Sequence, residues 1–575
     1  MADKKKKSIQ VRIIIVQFFL FLFLFILGAR AFQIQILKAD YLTKIAETEY
    51  TGHIDIQGKR GEIFDRNMNQ LGVTIDTLSL AASPGKIIDS LKNLNKVSKI
   101  LNINQKDLEQ KIKTKKKFVW IKRRVSPYEA DQIRQLKIKG LFFKNDVIRF
   151  YPNRNLAAQI MGFTGIDNTG LEGLEYQYNS LLEGERKKIK ITKDAKGRHL
   201  NSEKILTQRY AGNSLILTID RTIQYISETA LKQGVEDNKA TSGMALVMKP
   251  DTGEIMAIAH YPEFNPNSFS KFNKESWRNR AVTDPFEPGS IMKVFVIASA
   301  LEKQYCTKNS IFFCENGKYK VGRFTIHDTH SYGWLDLGDI VKFSSNIGIV
   351  KIAEVTGKKV MHNYLSLFGF GEQTNLGCPA ESSGILMPYS NWSDIDTGSI
   401  AFGQGISVSA IQLISGISAI ANQGILMKPL VIKKIISSQG QVKKTFKSRA
   451  VRRVVSANTA KNIKQMMRLV VEDQGTGINA AIQGYSVCGK TGTAQKVNKS
   501  GNGYSQKDYL ALFVGFAPES KPELVILVVI DEPRKNHFGG VVAAPVFKKI
   551  MTESFNYLKI SPDMNQDIIL AKISD

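Results

Sequence analysis

A serine hydroxyl becomes a nucleophile only when a base lies within hydrogen-bond reach, and one helical turn is a simple way to hold two side chains that close. The spacing S-x-x-K, which does this, occurs at Ser83, Ser268 and Ser290. Common residue usage alone gives about that many hits in a chain this long, so context has to separate them. Ser83 runs into the turn residues Pro84-Gly85, and Ser268 sits among Pro262, Asn265, Pro266 and Asn267; neither context starts a helix. Ser290 follows Pro288-Gly289 and opens the stretch Ile291 to Ala298, apolar on nearly every face, which predicts a buried central helix with Lys293 as its only charge. Burial of a lysine lowers its proton affinity and turns it into a general base. The N–H groups of a helix start beside Ser290 would suit a developing oxyanion. The bland alternative is a serine that merely begins a helix, with Lys293 snorkelling to the surface.

Two further motifs bear on that choice. S-x-N occurs at Ser344, Ser456, Ser500 and Ser554, and only Ser344-Ser345-Asn346 leads into an apolar run, Ile347 to Ile352, as a loop entering a helix would. Ser344 offers a proton-relaying hydroxyl and Asn346 an amide to hold a substrate backbone. K-T-G occurs once, as Lys490-Thr491-Gly492-Thr493. On a strand beside an acyl-peptide, Lys490 would be a fixed cation, and Thr491 and Thr493 hydroxyl donors suited to a terminal carboxylate. A phosphate-binding loop is the alternative at this point, because Gly484 and Gly489-Lys490-Thr491 also meet the spacing G-x-x-x-x-G-K-T.

These groups need a scaffold, and the chain supplies one in modules. Its 575 residues exceed one ordinary core, so two or three domains are expected. Leu215 to Asp220 reads as a strand ending in a helix cap, followed by helical spacing from Thr222 to Gly234. Met244 to Met248 and Ile255 to Ala259 flank Pro250-Asp251-Thr252-Gly253 in a hairpin pattern, and Leu510 to Phe516 and Leu524 to Ile530 are two more apolar strands. Strands, then helices, then strands give an α+β class. Residues from about Arg60 to Gly212 are polar, mixing short β-like runs with lysine-rich helical segments such as Lys106 to Lys117.

The N-terminus places the protein. Lys4 to Lys7 and Arg12 precede an uncharged stretch from Ile13 to Ala29, long enough at about 1.5 Å per residue for a short bilayer-spanning helix. Basic flanks resist translocation, so the N-terminus is expected in the cytoplasm and the remainder outside it. A cleaved signal peptide is the competing reading, with Ala29-Arg30-Ala31 as a loose cleavage site; the length of the apolar stretch and the arginine favour an uncleaved anchor. Eighty Lys and Arg against 52 Asp and Glu give a net charge of +28. On an exported domain this charge fits lipid headgroups or cell-wall polymers better than nucleic acid. Cys306, Cys314, Cys378 and Cys488 are too few and too scattered for a disulfide scaffold or a paired-ligand zinc site, although Cys306 and Cys314 are near enough in sequence to pair.

The set S-x-x-K, S-x-N and K-T-G, in this order, resembles the penicillin-binding proteins and β-lactamases. The chain is most similar to class B penicillin-binding proteins of the FtsI, or cell-division, type, and the resemblance covers nearly its whole length. Arg60-Gly61-Glu62-Ile63-Phe64-Asp65-Arg66-Asn67 resembles the signature that opens the membrane-proximal pedestal, and Gly170-Leu171-Glu172-Gly173-Leu174-Glu175 a second pedestal element. Arg278-Asn279-Arg280 through Ser290, and Gly403 to Ser409, resemble the division subtype. The resemblance implies a single transmembrane helix, a mixed α/β pedestal and a transpeptidase domain built on an antiparallel sheet flanked by helices. The boundaries read as a cytoplasmic tail at 1–12, an anchor at 13–31, a linker at 32–59, a pedestal at 60–213, a transpeptidase domain at 214–557 and a tail at 558–575.

It further implies D,D-transpeptidation of D-Ala-D-Ala stem peptides, with Ser290 acylated, Lys293 as its base and the N–H groups of Ser290 and Thr493 forming the oxyanion hole. Ser344, Asn346 and Lys490 would complete the catalytic set, and Thr491, Gly492 and Thr493 the substrate-binding strand. β-Lactams would be covalent inhibitors, no metal or organic cofactor is implied, and a membrane glycosyltransferase of the SEDS type and other division proteins would be partners. Three positions depart from the family pattern: Ile291 stands where threonine is usual, Cys488 where a small residue is usual, and Phe343 where lysine is common. Ile291 and Cys488 are expected to alter pocket polarity. An elongation-type enzyme, a β-lactam sensor or hydrolase, and a division scaffold with weak chemistry remain open at this point.

Overall fold

The computed structural model describes residues 2–87, 94–192, 207–322, 324–498 and 503–564. The S-x-N triplet at Ser500 and residues 565–575 of the C-terminal tail lie outside the described residues. The chain divides into two compact units, Met1–Lys59 with Gly184–Ala211, and Arg60–Glu183 with Gly212–Asp575.

In the first unit, Ala2–Phe32 is one helix, continued by a π-helical turn at Gln33–Leu37 and a second helix at Ala39–Tyr50. The first helix is long and apolar enough to cross a membrane, and none of its apolar stretch is buried against protein. A helix satisfies every backbone polar group internally, which is what a lone span in hydrocarbon requires. The unit closes with Thr51–Gln57 paired antiparallel to Arg186–Thr192.

The second unit is α+β and, among the described residues, contains two large sheets besides three two-stranded ones. One runs in the order Val442–Thr445, Ile432–Ile436, Ser214–Leu217, Ile63–Phe64, Gln70–Ala82, Val119–Val125, and Leu141–Phe150 also pairs with Gln70–Ala82. The strand expected at Leu215 therefore joins this sheet, lying parallel to Ile63–Phe64, rather than the sheet that carries K-T-G. Helices Leu94–Leu101, Gln105–Ile112 and Pro127–Gln135 bury their apolar stripes in a small core of their own against it. The lysine-rich helix expected to Lys117 ends at Ile112.

The two pedestal motifs meet at a buried carboxylate. Arg60 Nε lies 2.6 Å from Glu175 Oε2, and Arg149 Nε 2.7 Å from Glu175 Oε1, with all three side chains buried. The paired guanidiniums hold the Glu175 carboxyl below the usual carboxylate range against the opposing effect of burial.

The second sheet has five antiparallel strands in the order Cys488–Val497, Tyr504–Ala517, Leu524–Asp531, Ser242–Met248, Ile255–Tyr261. Its central strands are buried on both faces. Helices Arg221–Asp237 and Ala544–Leu558 cover one face, and the first starts where Asp220 caps Thr222 N at 2.9 Å, as the sequence predicts. The other face meets a helical layer in which every residue from Met292 to Ala300 is buried. Phe295 of that helix packs edge-on against Phe368 and Phe370, with ring centroids 4.8 and 4.9 Å away. Cys306, Cys314, Cys378 and Cys488 are all buried free thiols.

Candidate active site

Three chain segments converge where the edge strand Cys488–Val497 meets the helical layer. Ser290 lies in a single 3₁₀ turn, Gly289–Ile291, that leads into the helix Met292–Glu302, and its side chain is half-buried. The turn can approach the strand because two glycines leave room. A Cβ on Gly289, whose φ is +55°, would sit 2.9 Å from Thr493 O, and one on Gly492 would sit 3.0 Å from Pro288 O. A third glycine, Gly403, closes the other side: its Cβ would fall 2.0 Å from Gly289 O.

Lys293 does not snorkel. Its side chain is fully buried, and its Nζ donates to Ser344 O at 2.5 Å, to Asn346 Oδ1 at 2.8 Å and to Ser344 Oγ at 3.2 Å. Burial pushes its proton affinity down to about 7, with the Asp328 carboxylate pulling weakly the other way. Among the described residues Ser290 Oγ makes no hydrogen bond, so Lys293 is held one turn from Ser290 but bonded to the S-x-N segment. Such contacts tighten in a substrate complex.

Ser344 has a left-handed backbone, φ +61°, and is followed by Ser345 as N-cap of the helix Asn346–Thr356. Its Oγ also receives a hydrogen bond from Lys490 Nζ at 2.9 Å. One hydroxyl therefore lies between two buried lysines. Asn346 is engaged at both ends, Oδ1 on Lys293 and Nδ2 donating to His327 O at 3.0 Å, which leaves one Nδ2 hydrogen for another partner.

Lys490 is fully buried, and burial together with the charge of Lys293 pushes its proton affinity well below that of an ordinary lysine. The sequence expects a fixed cation there, which burial works against; Lys490 lies within the strand Cys488–Val497 and not at the helix start that a phosphate-binding loop needs. Two ammonium groups sharing one hydroxyl in a dry site oppose each other, which disfavours protonation of both at once. Thr491 Oγ1 donates to Thr476 Oγ1 at 3.1 Å, and Thr493 Oγ1 accepts weakly from Gly539 N at 3.4 Å.

Sequence reasoning missed Asp328, Thr476 and the Gly539-Gly540 segment that lies against the K-T-G strand. A Cβ on Gly539 would come 2.0 Å from Leu512 O and one on Gly540 2.0 Å from Thr476 O. The paired glycines were the available signal. The departures from the family pattern settle inward: Ile291 is buried against Gly492, Cys488 donates its thiol to Lys464 O at 3.3 Å, and Phe343 stacks on Tyr332 at 5.4 Å. Ser83 and Ser268 lie in and beside short 3₁₀ turns and do not begin an α-helix, and Ser456 caps the helix Ala457–Leu469.

The profile of the penicillin-binding protein transpeptidase domain matches residues 243–552, more than half of the chain, and that of the penicillin-binding protein dimerisation domain matches residues 55–217. The peptidoglycan D,D-transpeptidase FtsI of Escherichia coli is 33% identical over 546 residues, 94% of this chain and 90% of that protein. The chain belongs to the class B penicillin-binding proteins of the FtsI type. A second relative of this family, the probable peptidoglycan D,D-transpeptidase PenA of Neisseria meningitidis, is 34% identical over 93% of this chain and 90% of its own length. Penicillin-binding protein 3 of Mycobacterium tuberculosis, solved with aztreonam, superposes with a TM-score of 0.69 at 26% identity, covering 89% of this chain and 99% of that structure. In this class B penicillin-binding protein the matched transpeptidase region contains all three motif segments described above.

Proposed function

We propose that this protein is a peptidoglycan D,D-transpeptidase of septal wall synthesis that cross-links stem peptides through an acyl-enzyme on Ser290. The observation that carries the reading is the chain of contacts Lys293, Ser344, Lys490, with Lys293 buried and brought to about 7. A base near neutrality loses little to protonation at the working pH.

In this reading Ser290 Oγ attacks the carbonyl of the penultimate D-Ala while its proton passes to neutral Lys293. The N–H groups of Ser290 and Thr493 receive the oxyanion, consistent with the close approach of Gly289 to Thr493. The bond to the terminal D-Ala breaks, and the proton returns through Ser344 Oγ to the departing amine. An amine of a second strand then attacks the acyl-serine, giving up its proton by the reverse path and freeing Ser290. Lys490, Thr491 and Thr493, with Gly492 keeping the strand close, grip the terminal carboxylate, whose charge draws a proton back onto Lys490. Asn346 uses its remaining hydrogen on the substrate backbone. Only this chain's side chains and backbone enter these steps.

The likeness to FtsI supports the division role, and with it a SEDS-type glycosyltransferase and other division proteins as partners. The helix Ala2–Phe32 anchors the protein in the inner membrane, with Lys4 to Lys7 on the cytoplasmic side and the catalytic domain on the periplasmic side. The test is cross-linking of a synthetic D-Ala-D-Ala donor to an amine acceptor by the purified protein. D-Ala release and cross-linked product are expected from the wild type and from no Ser290→Ala preparation. Full product from Ser290→Ala removes the reading.

A further inference from the structure

Ser344 occupies a backbone region that L-residues other than asparagine and aspartate rarely enter, and such a conformation persists only when its surroundings over-determine it. The restraint comes from a residue far away in sequence. Asp328, just past the strand Phe324–His327, accepts from Ser345 Oγ at 2.6 Å through Oδ2. Its Oδ1 accepts from Asn346 N at 2.5 Å and Ile347 N at 3.2 Å. Ser345 Oγ in turn accepts from Gly348 N at 2.9 Å. The first free N–H groups of the helix Asn346–Thr356 are thus met by a carboxylate, whose charge also complements the positive helix end.

The adjacent peptide adds a second restraint. His327 O takes Asn346 Nδ2, which turns Asn346 Oδ1 toward Lys293 Nζ. One short segment, His327-Asp328, therefore fixes both the backbone and the side-chain orientation of the S-x-N triplet. We propose that Asp328 is a positioning residue of this active site, whose carboxylate holds the Ser344–Asn346 turn so that Ser344 Oγ and Asn346 Oδ1 stay on Lys293. The proposal rests on the reading of Ser290 and Lys293 as nucleophile and base.

Asp328 also acts through its charge. The charged groups facing Lys293 are Asp328, which favours its protonated form, and Lys490, which opposes it. Asp328 itself faces Lys293, the Cys314 thiol and the Tyr332 phenol, and burial pushes the thiol and the phenol up, so both stay neutral where Lys293 titrates. Lys351, on the helix that Asp328 caps, is paired with Glu315 at 2.5 Å. Removing the carboxylate charge therefore lowers the proton affinity of Lys293 while loosening the turn.

The experiment measures the second-order acylation rate constant of the full-length, detergent-solubilised protein by a fluorescent penicillin from about pH 5.5 to about pH 9, around the ordinary and shifted ranges of the groups concerned. Asp328→Asn is expected to lower the plateau about tenfold to hundredfold, the loss typical of hydrogen bonds to a charged group, and to move the rising limb to lower pH. Ser345→Ala keeps the carboxylate, so it should lower the plateau by a smaller factor and leave the limb in place. A wild-type plateau in Asp328→Asn, or a lowered plateau with an unmoved limb, overturns the proposal; the second result would make Asp328 a helix cap and nothing more. If Asp328→Asn fails to unfold cooperatively, Asp328→Glu replaces it. That variant keeps the charge on a longer stem, so a lowered plateau with the wild-type limb is expected and an unchanged plateau overturns the proposal. Labelling of Ser290→Ala at the wild-type rate would instead overturn the reading beneath it.

Discussion

If Lys293 is the base that activates Ser290, the acylation rate must follow the neutral fraction of Lys293. With its proton affinity brought down to about 7, that fraction is about 0.09 at pH 6, about 0.5 at pH 7 and about 0.9 at pH 8. The rate constant for penicillin acylation is therefore expected to rise about tenfold between pH 6 and pH 8 and then level off. An ordinary lysine, near 10.4, would be neutral in less than about one molecule in a thousand at pH 7 and would give a further tenfold rise for each unit up to about pH 10. The two cases differ in shape as well as height. The assay is the initial rate of fluorescent-penicillin labelling at limiting drug concentration, with the unfolding midpoint recorded at each pH to keep stability apart from chemistry. A rate that keeps climbing through pH 9, or one that is flat from pH 5.5 upward, would refute the assignment of a desolvated lysine as base.

Two other perturbations probe the frame around the site. Gly403→Ala places a Cβ 2.0 Å from Gly289 O at a residue with φ +87°, so it should destabilise the fold by about 2 kcal/mol or more and lower acylation at least tenfold, read by thermal unfolding and by labelling of the folded fraction. Glu228 is half-buried where Ala157 N and Gln224 Nε2 both donate to its Oε1, and desolvation raises its carboxyl to about 8. Its folded value lies above its unfolded one, so the folded state keeps a proton that the unfolded chain releases, and stability falls as pH rises from about 4.5 to about 8. Glu228→Gln should therefore raise the unfolding midpoint more at pH 8 than at pH 5; an equal gain at both would place the effect elsewhere.

Much of this site was legible because catalysis imposed spacing rules on the sequence. A serine nucleophile and a lysine base need to be one helical turn apart, and the helix that carries the lysine has to be apolar to make it a base, so periodicity singled out, from three serines, the one that the fold sets beside the K-T-G strand. The strand carrying Lys490 and the hairpin Met244 to Ala259 followed from local pattern in the same way. Asp328 obeys no such rule. It lies in a loop, and only tertiary packing brings it to the helix that begins at Asn346. Thr476 reaches Thr491 for the same reason. The strand Ser214–Leu217 was visible as a strand, but its partners, Ile63–Phe64 and Ile432–Ile436, lie about 150 and 220 residues away, and register at that distance is set by the folded core. The lowered proton affinity of Lys490 was hidden too, since it comes from burial in the folded site and from the second lysine across Ser344.

The most direct test of the central claim is the intact mass of the full-length protein after brief exposure to benzylpenicillin, with peptide mapping of the adduct, for the wild type and Ser290→Ala. The account predicts one stable penicilloyl group on the wild type, located on the peptide containing Ser290, and none on the variant. An adduct that persists in Ser290→Ala, or one mapped to another residue in the wild type, would contradict it.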